Sequence, residues 1–110
     1  MSNVESNVLH IVDTLNNGFE GYLTENEYGE TQTAFDYLQD VLDFNWILNS
    51  DRTMKGARLL VAFGGPNIWI DTTKGIVEGY WWQDKFTAEY DTNSEFARDL
   101  DEALETLFNC

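Results

Sequence analysis

Three segments of the chain repeat apolar residues every three or four positions, the spacing that places them on one face of a helix. The pattern predicts a first helix over about residues 4–17, ended by Gly18, and a second over about residues 31–44. It predicts a last helix that the capping-box pattern of residues 92–95 opens and that runs to the end of the chain. The apolar positions behind these predictions are Val4, Val8, Ile11, Val12 and Leu15; Ala34, Phe35, Leu38, Val41 and Leu42; and Phe96, Leu100, Ala103, Leu104, Leu107 and Phe108.

The middle of the chain has the patterns of strands. Residues 57–63 form a nearly continuous apolar run, which is typical of a strand inside a sheet. Residues 67–71, 76–82 and 85–90 follow with short connections, which predicts an antiparallel meander. Residues 46–48 fit either an edge strand or an extension of the second helix.

The resulting order is α-α-β-β-β-β-α. It predicts a single α+β domain over all 110 residues, in which three helices pack with a small antiparallel sheet of about four strands. A chain of this length supports one hydrophobic core rather than two.

Charge is distributed very unevenly along this pattern. The chain has 20 acids and 6 bases, a formal net charge of −14, and its first base is Arg52. Compaction brings these like charges together and costs self-repulsion. The hydrophobic content of 43% indicates that the charge lies on a folded body rather than on a disordered tail. Five bases fall in or beside the predicted sheet: Arg52, Lys55, Arg58, Lys74 and Lys85.

Two rows of carboxylates recur at helical spacing. The first row, on the predicted second helix, is Asp36, Asp40 and Asp43; the second, on the last helix, is Glu95, Asp99 and Glu102. A regular row of carboxylates can imitate the phosphates of a nucleic-acid backbone and compete for a basic groove. The same rows also fit a solvated acidic surface, or the acid-rich composition of a salt-adapted protein.

A second candidate surface is aromatic. If alternation turns Ile68, Ile70, Val77 and Trp81 toward the helices, the opposite face holds Trp69, Tyr80 and Trp82 among Asn67, Asp71 and Glu78. Large aromatic side chains in a polar surround are typical of binding hot spots. The alternative is that residues 19–30, or one helix, cover these rings as a second small core.

Catalytic signatures are absent from the sequence. The chain has one histidine, His10, and one cysteine, the terminal Cys110, so we expect no enzyme, metal site or cofactor. Residues 91–95 begin like a calcium loop, but Phe96 stands where that loop requires glycine. The strongly negative charge predicts no direct binding to nucleic acid or to a membrane, and the sequence pattern predicts a cytoplasmic protein.

Residues 56–72 and 77–82, together with the closing residues 107–110, carry a resemblance. They resemble small, mostly uncharacterised acidic proteins encoded by phages, plasmids and integrated elements of gut bacteria. The resemblance covers about half of the 110 residues and brings no catalytic residue with it. It implies an accessory gene of a mobile element, a setting in which small acidic proteins protect the element from restriction or CRISPR defence.

These observations together predict a non-enzymatic inhibitor. Its acidic helical faces would mimic nucleic acid and occupy the groove of a basic nucleic-acid-binding protein of host defence. One alternative is an immunity protein or antitoxin that caps a basic toxin nuclease. Another is an assembly factor that binds through the aromatic sheet face.

Overall fold

Three helices and five strands make up the computed structural model, which describes residues 3–110 and confirms the α+β class. The elements are α1 Asn3–Asn17, α2 Ala34–Leu38, β1 Asp43–Leu48, β2 Met54–Ala62, β3 Asn67–Asp71, β4 Ile76–Trp81, β5 Asp84–Glu89 and α3 Glu95–Phe108. The first and last helices and four of the strands lie where the sequence predicts them.

The five strands form one antiparallel meander in the order β1-β2-β3-β4-β5. In its centre, Ile70 lies opposite Val77, and Trp69 lies opposite Glu78. Because side chains of a strand alternate between faces, each of these pairs belongs to a different face of the sheet. The register therefore separates the apolar positions of β3 and β4 from the polar and aromatic ones.

The core lies between one face of this sheet and the helices. Helix α1 crosses β4 and β5, and α3 packs against α1, α2 and β2. The largest fully buried side chains are Phe96, Leu15, Leu59, Ile70, Leu100, Leu104, Val4, Val8 and Val77. As predicted, Ile68, Ile70 and Val77 face the helices, and Trp81 is partly buried against the same core. The domain thus has two layers, and within residues 3–110 the outer face of the sheet has no helical layer.

The predicted second helix over residues 31–44 is wrong in its length. Helix α2 has only five residues, and the chain then turns into β1, an additional strand that pairs with β2. The apolar strand β2 would otherwise present a row of unpaired backbone groups at the edge of the sheet, which is costly. Within this strand, Trp46 is partly buried against the core, and the centre of its ring lies 5.3 Å from that of Phe108. This settles the open alternative for residues 46–48 in favour of an edge strand.

Helix α1 packs closely on β4 because β4 has a glycine at the crossing point. A Cβ atom added to Gly79 would lie 2.5 Å from methyl carbons of both Val4 and Val8, closer than non-bonded carbon atoms can approach. Any larger side chain at this position therefore pushes α1 away from the sheet.

We predict that Gly79→Ala lowers the free energy of unfolding by about 1–3 kcal/mol, the usual cost of overpacking a core. Urea denaturation followed by circular dichroism measures it. The matched control is Gly65→Ala, because a Cβ added to Gly65 meets nothing within 4 Å. Equal stability of the two variants would contradict the close contact between α1 and β4.

Candidate functional site

The two layers of the domain differ strongly in charge. Residues 43–90, which form the sheet and its connections, contain six acids and five bases. Residues 3–42 and 91–110, which form the helical layer, contain 14 acids and a single base, Arg98. Nearly all of the net charge of −14 therefore lies on the helical side of the domain.

The acidic row predicted on the last helix is present on α3. Ser94, rather than Thr92 of the predicted capping box, caps the start of this helix: its hydroxyl accepts a hydrogen bond from the Ala97 amide and donates one to the carbonyl of Leu15. With a rise of about 1.5 Å per residue, Glu95, Asp99 and Glu102 follow one another at about 6 Å and 4.5 Å along the axis. Together with Asn93 and Arg98, they line an open depression of about 500 Å³.

Asp99, the central member of this row, is held by a tyrosine. It is half-buried, and its Oδ2 accepts a hydrogen bond from the hydroxyl of Tyr22. Burial and the neighbouring carboxylate both raise the pKa of Tyr22, so this hydroxyl stays protonated and continues to donate. Glu95 and Glu102 are exposed. The row therefore has one fixed carboxylate between two that are free to meet a partner.

The other predicted row, Asp36, Asp40 and Asp43, does not form, because its members lie in three different local structures. Asp36 is in α2, where its Oδ2 accepts hydrogen bonds from the amide of Thr33 at 2.6 Å and its hydroxyl at 3.1 Å. Asp40 lies in the turn after α2. Burial, and to a smaller extent the charge of Asp40, raise the pKa of Tyr37 to about 12. Asp43 opens β1. Of the two rows of carboxylates predicted from the sequence, only the row on α3 is therefore present.

Beside α3 lies an apolar depression that the sequence patterns did not reveal. It has a volume of about 250 Å³, and its apolar side chains include Leu23, Ala34, Phe35 and Ala103, with Asp99 and Glu102 also lining it. Leu23 is 56% exposed and Phe35 is 40% exposed. The one available signal in the sequence was Leu23, an isolated leucine within the acidic, non-periodic segment before α2.

The outer face of the sheet brings together two of the three predicted aromatic residues. Trp69 and Tyr80 are half-buried there, whereas Trp82 lies beyond the end of β4, in the turn to β5, and is 88% exposed. The guanidinium carbon of Arg58 lies 4.2 Å from the centre of the Trp69 ring, and the ammonium of Lys85 lies 5.6 Å from that of Tyr80. The faces of both aromatic rings are therefore already in contact with cationic side chains of the same chain.

Glu78 links the polar groups of this outer face. It is only 8% exposed, and its Oε2 accepts a hydrogen bond from the Tyr80 hydroxyl at 2.7 Å and forms an ion pair with Arg58 at 3.2 Å. The Tyr80 hydroxyl, and after it Arg58, hold the pKa of Glu78 below its ordinary value. The same hydrogen bond raises the pKa of Tyr80. The carboxylate thus stays ionised although its surface is almost fully covered.

The expected alternative, a loop that covers these rings, is wrong for residues 19–30. Phe19 and Tyr22 of this segment pack instead around Phe96 of α3, with ring centres 5.5 Å and 4.8 Å away. Phe96 belongs to the core on the helical side of the sheet. The segment therefore builds the acidic side of the domain and leaves the outer face of the sheet open.

Comparisons with profiles of protein families, with curated proteins and with solved structures find no match to this chain. In the part of the chain that the structure describes, no helix has the length and apolar content to cross a membrane. Over the same residues, no cluster of three or more histidine, cysteine or acidic side chains is arranged to hold a metal ion.

We predict that Glu78→Gln lowers the free energy of unfolding by about 1–3 kcal/mol at neutral pH, because a charged hydrogen-bonding partner of Arg58 is lost. A lowered folded-state pKa means that the carboxylate stabilises the protein above its ordinary pKa of 4.5 and less as the pH falls below it. The difference between wild type and variant should therefore shrink under acid conditions, as measured by urea denaturation over a pH series. Glu89→Gln, at an exposed position of β5, serves as the control. A difference that stays constant down to about pH 3 would argue against an ionised, paired Glu78.

Proposed function

We propose that this protein is a non-enzymatic inhibitor that binds the basic surface of a nucleic-acid-binding protein and keeps nucleic acid away from it. The single observation that carries the proposal is the separation of charge, with 14 acids and one base in the helical layer. A partner with a basic groove would meet a field of one sign across this side of the domain. Such fields accelerate association and select partners of opposite charge.

The row on α3 is the proposed centre of this surface. Glu95 and Glu102 are exposed, and Asp99 between them is fixed by Tyr22, so three carboxylates stand in a row on a rigid helix. Lysine and arginine side chains that donate hydrogen bonds to phosphates donate similar ones to carboxylates. Because salt screens the attraction between opposite charges, binding of a basic groove to this row should weaken as the salt concentration rises, as its binding to nucleic acid does. A host defence nuclease or CRISPR complex is the partner class that we propose, with a cytoplasmic site of action.

An immunity protein or antitoxin would use the same acidic side of the domain. It differs in binding a single specific partner, a basic toxin nuclease. A displacement assay with several classes of nuclease separates the two cases. Binding to a single toxin nuclease and to no defence protein would favour the immunity function.

A second candidate function is assembly through the outer face of the sheet. The observation in its favour is that Trp69 and Tyr80 stay half-exposed on a face that no helix covers within residues 3–110. Against it, Arg58 already lies over the Trp69 ring, and Glu78 already holds the Tyr80 hydroxyl. Inhibition through the acidic side therefore remains the first proposal.

The proposal predicts displacement of labelled duplex DNA from basic proteins. The chain is titrated into complexes of DNA with a panel of restriction endonucleases, CRISPR effectors and toxin nucleases, and fluorescence anisotropy follows the release of DNA. We expect displacement from at least one panel member, with an affinity that falls at least tenfold between about 50 mM and 200 mM salt. No displacement from any member, or an affinity indifferent to salt, would refute the proposal.

Charge reversal locates the surface. Glu95→Lys with Glu102→Lys should abolish displacement, whereas Asp84→Lys with Glu89→Lys, which makes the same change in net charge on β5, should preserve most of it. Asp99 is left unchanged because it bonds Tyr22. Unfolding curves of both variants are needed, since a lysine in the first turn of α3 costs about 0.3–1 kcal/mol. Equal loss in both pairs would point to net charge alone.

A further inference from the structure

Two apolar depressions lie side by side on the acidic side of the domain. The first, of about 250 Å³, is the one beside α3 described above. The second, of about 380 Å³, is lined by Phe35, Leu38, Gln39, Val41, Phe44 and Leu107. Phe35 belongs to both, so its ring forms a wall between them. We name the pair the α2–α3 groove.

The walls of the α2–α3 groove are anchored to the core of the domain. Its α2 side begins at Ala34, which is buried, and its α3 side is backed by Ala103, also buried. The hydrogen bond from Tyr22 to Asp99 and the contact of the Tyr22 and Phe96 rings fix the segment that contains Leu23 to α3. A preformed groove of this kind binds without a large ordering cost.

The size and lining of the groove favour side-chain anchors over a small molecule. The first depression, of about 250 Å³, is smaller than the roughly 300–1,000 Å³ usual for ligand pockets, and the second, of about 380 Å³, lies near the lower end of that range. Both are open to solvent, so neither would enclose most of a bound small molecule. Binding energy at protein interfaces concentrates where an apolar side chain of one partner fills a pocket of the other. Two adjacent pockets separated by one ring suit two neighbouring anchors, as presented by one face of an amphipathic helix.

The negative charge around the groove indicates which residues should flank the apolar face of such a helix. Asp99 and Glu102 line the first depression, and no lysine, arginine or histidine lines either one. The segment that supplies its α2 side belongs to residues 3–51, which contain no lysine or arginine. A helix whose flanks are basic would pair with these carboxylates as its apolar face enters the groove.

We propose that the α2–α3 groove binds a basic amphipathic helix of the partner protein, with neighbouring apolar residues of that helix seated on either side of Phe35. The inference rests on the proposed function, because it names the element of a basic partner that this acidic side recognises. Charge attracts the helix, and the apolar anchors fix its position.

A designed peptide tests the groove directly. The probe is a labelled helix with leucines and phenylalanines on one face and lysines and arginines elsewhere, and the control peptide has the same composition with its apolar residues dispersed. By fluorescence anisotropy, we expect the amphipathic probe to bind at least about tenfold more tightly than the control, a difference of about 1.4 kcal/mol. Chemical-shift changes should centre on the residues that line the two depressions, which lie within residues 22–23, 31–44 and 99–107 of the protein. Equal binding of the two peptides, or shifts elsewhere, would overturn the proposal.

Neutral substitutions separate the groove from the surrounding charge. Leu23→Asn removes an apolar lining group without changing the charge, and asparagine tolerates the backbone φ of 65° at this position. It should weaken binding of the amphipathic probe about tenfold and leave the dispersed peptide unaffected. Leu48→Asn, at an exposed leucine of β1 outside the groove, is the matched control and should not change the affinity of either peptide.

The outcomes keep the two proposals apart. Salt-sensitive displacement of DNA without selective peptide binding would overturn the groove and leave the inhibitor proposal standing. Selective peptide binding without displacement of DNA from any panel member would do the reverse. Analytical ultracentrifugation provides a third check: a dimer that Leu23→Asn dissociates would assign the groove to a second copy of this chain and overturn the proposal.

Discussion

The domain depends on covering one apolar sheet face with a layer of helices and loops that carries almost all of the negative charge. Leu59, Ile70 and Val77 need a second layer, since a sheet face of this kind gains its stability only when it is removed from water. The helices and loops that supply the layer together hold nearly all of the excess acid, so their own repulsion opposes the packing. Burial at Phe96, Leu100 and Leu104 offsets this repulsion, and it also fixes the acidic side as a rigid surface.

Phe96 connects this core to the surface. The rings of Phe19, Tyr22 and Tyr37 all lie within 6 Å of its ring, so the segment before α2 is held against α3 by aromatic contacts. The same arrangement brings the Tyr22 hydroxyl to Asp99 and places Leu23 beside the helix. The groove and the fixed carboxylate are therefore two consequences of one buried cluster.

Local patterns predicted what depends on local spacing. The bounds of α1 and α3, the alternation that turns Ile68 and Ile70 inward, and the carboxylate row on α3 all follow from periodicity. The structure of residues 39–48 could not be predicted in this way, because Val41 and Leu42 also fit a helix. The strand forms there because β2 needs a partner strand, which is a long-range effect. The groove was hidden for the same reason, since Leu23, Phe35 and Ala103 come from three segments. The burial of Glu78 could not be predicted either, because it depends on Arg58, twenty positions away in sequence.

Charge and shape have different consequences on the acidic side of the domain. A field of one sign extends about 8–10 Å into solvent at physiological salt, so it attracts many basic surfaces and distinguishes poorly among them. Apolar contacts act only over touching atoms, so a groove divided by Phe35 discriminates by the spacing of side chains. A protein that bore only the acidic row would bind basic partners broadly and weakly at cellular salt. In the function that we propose, an apolar groove within the same surface would hold one of them selectively after charge has brought it close.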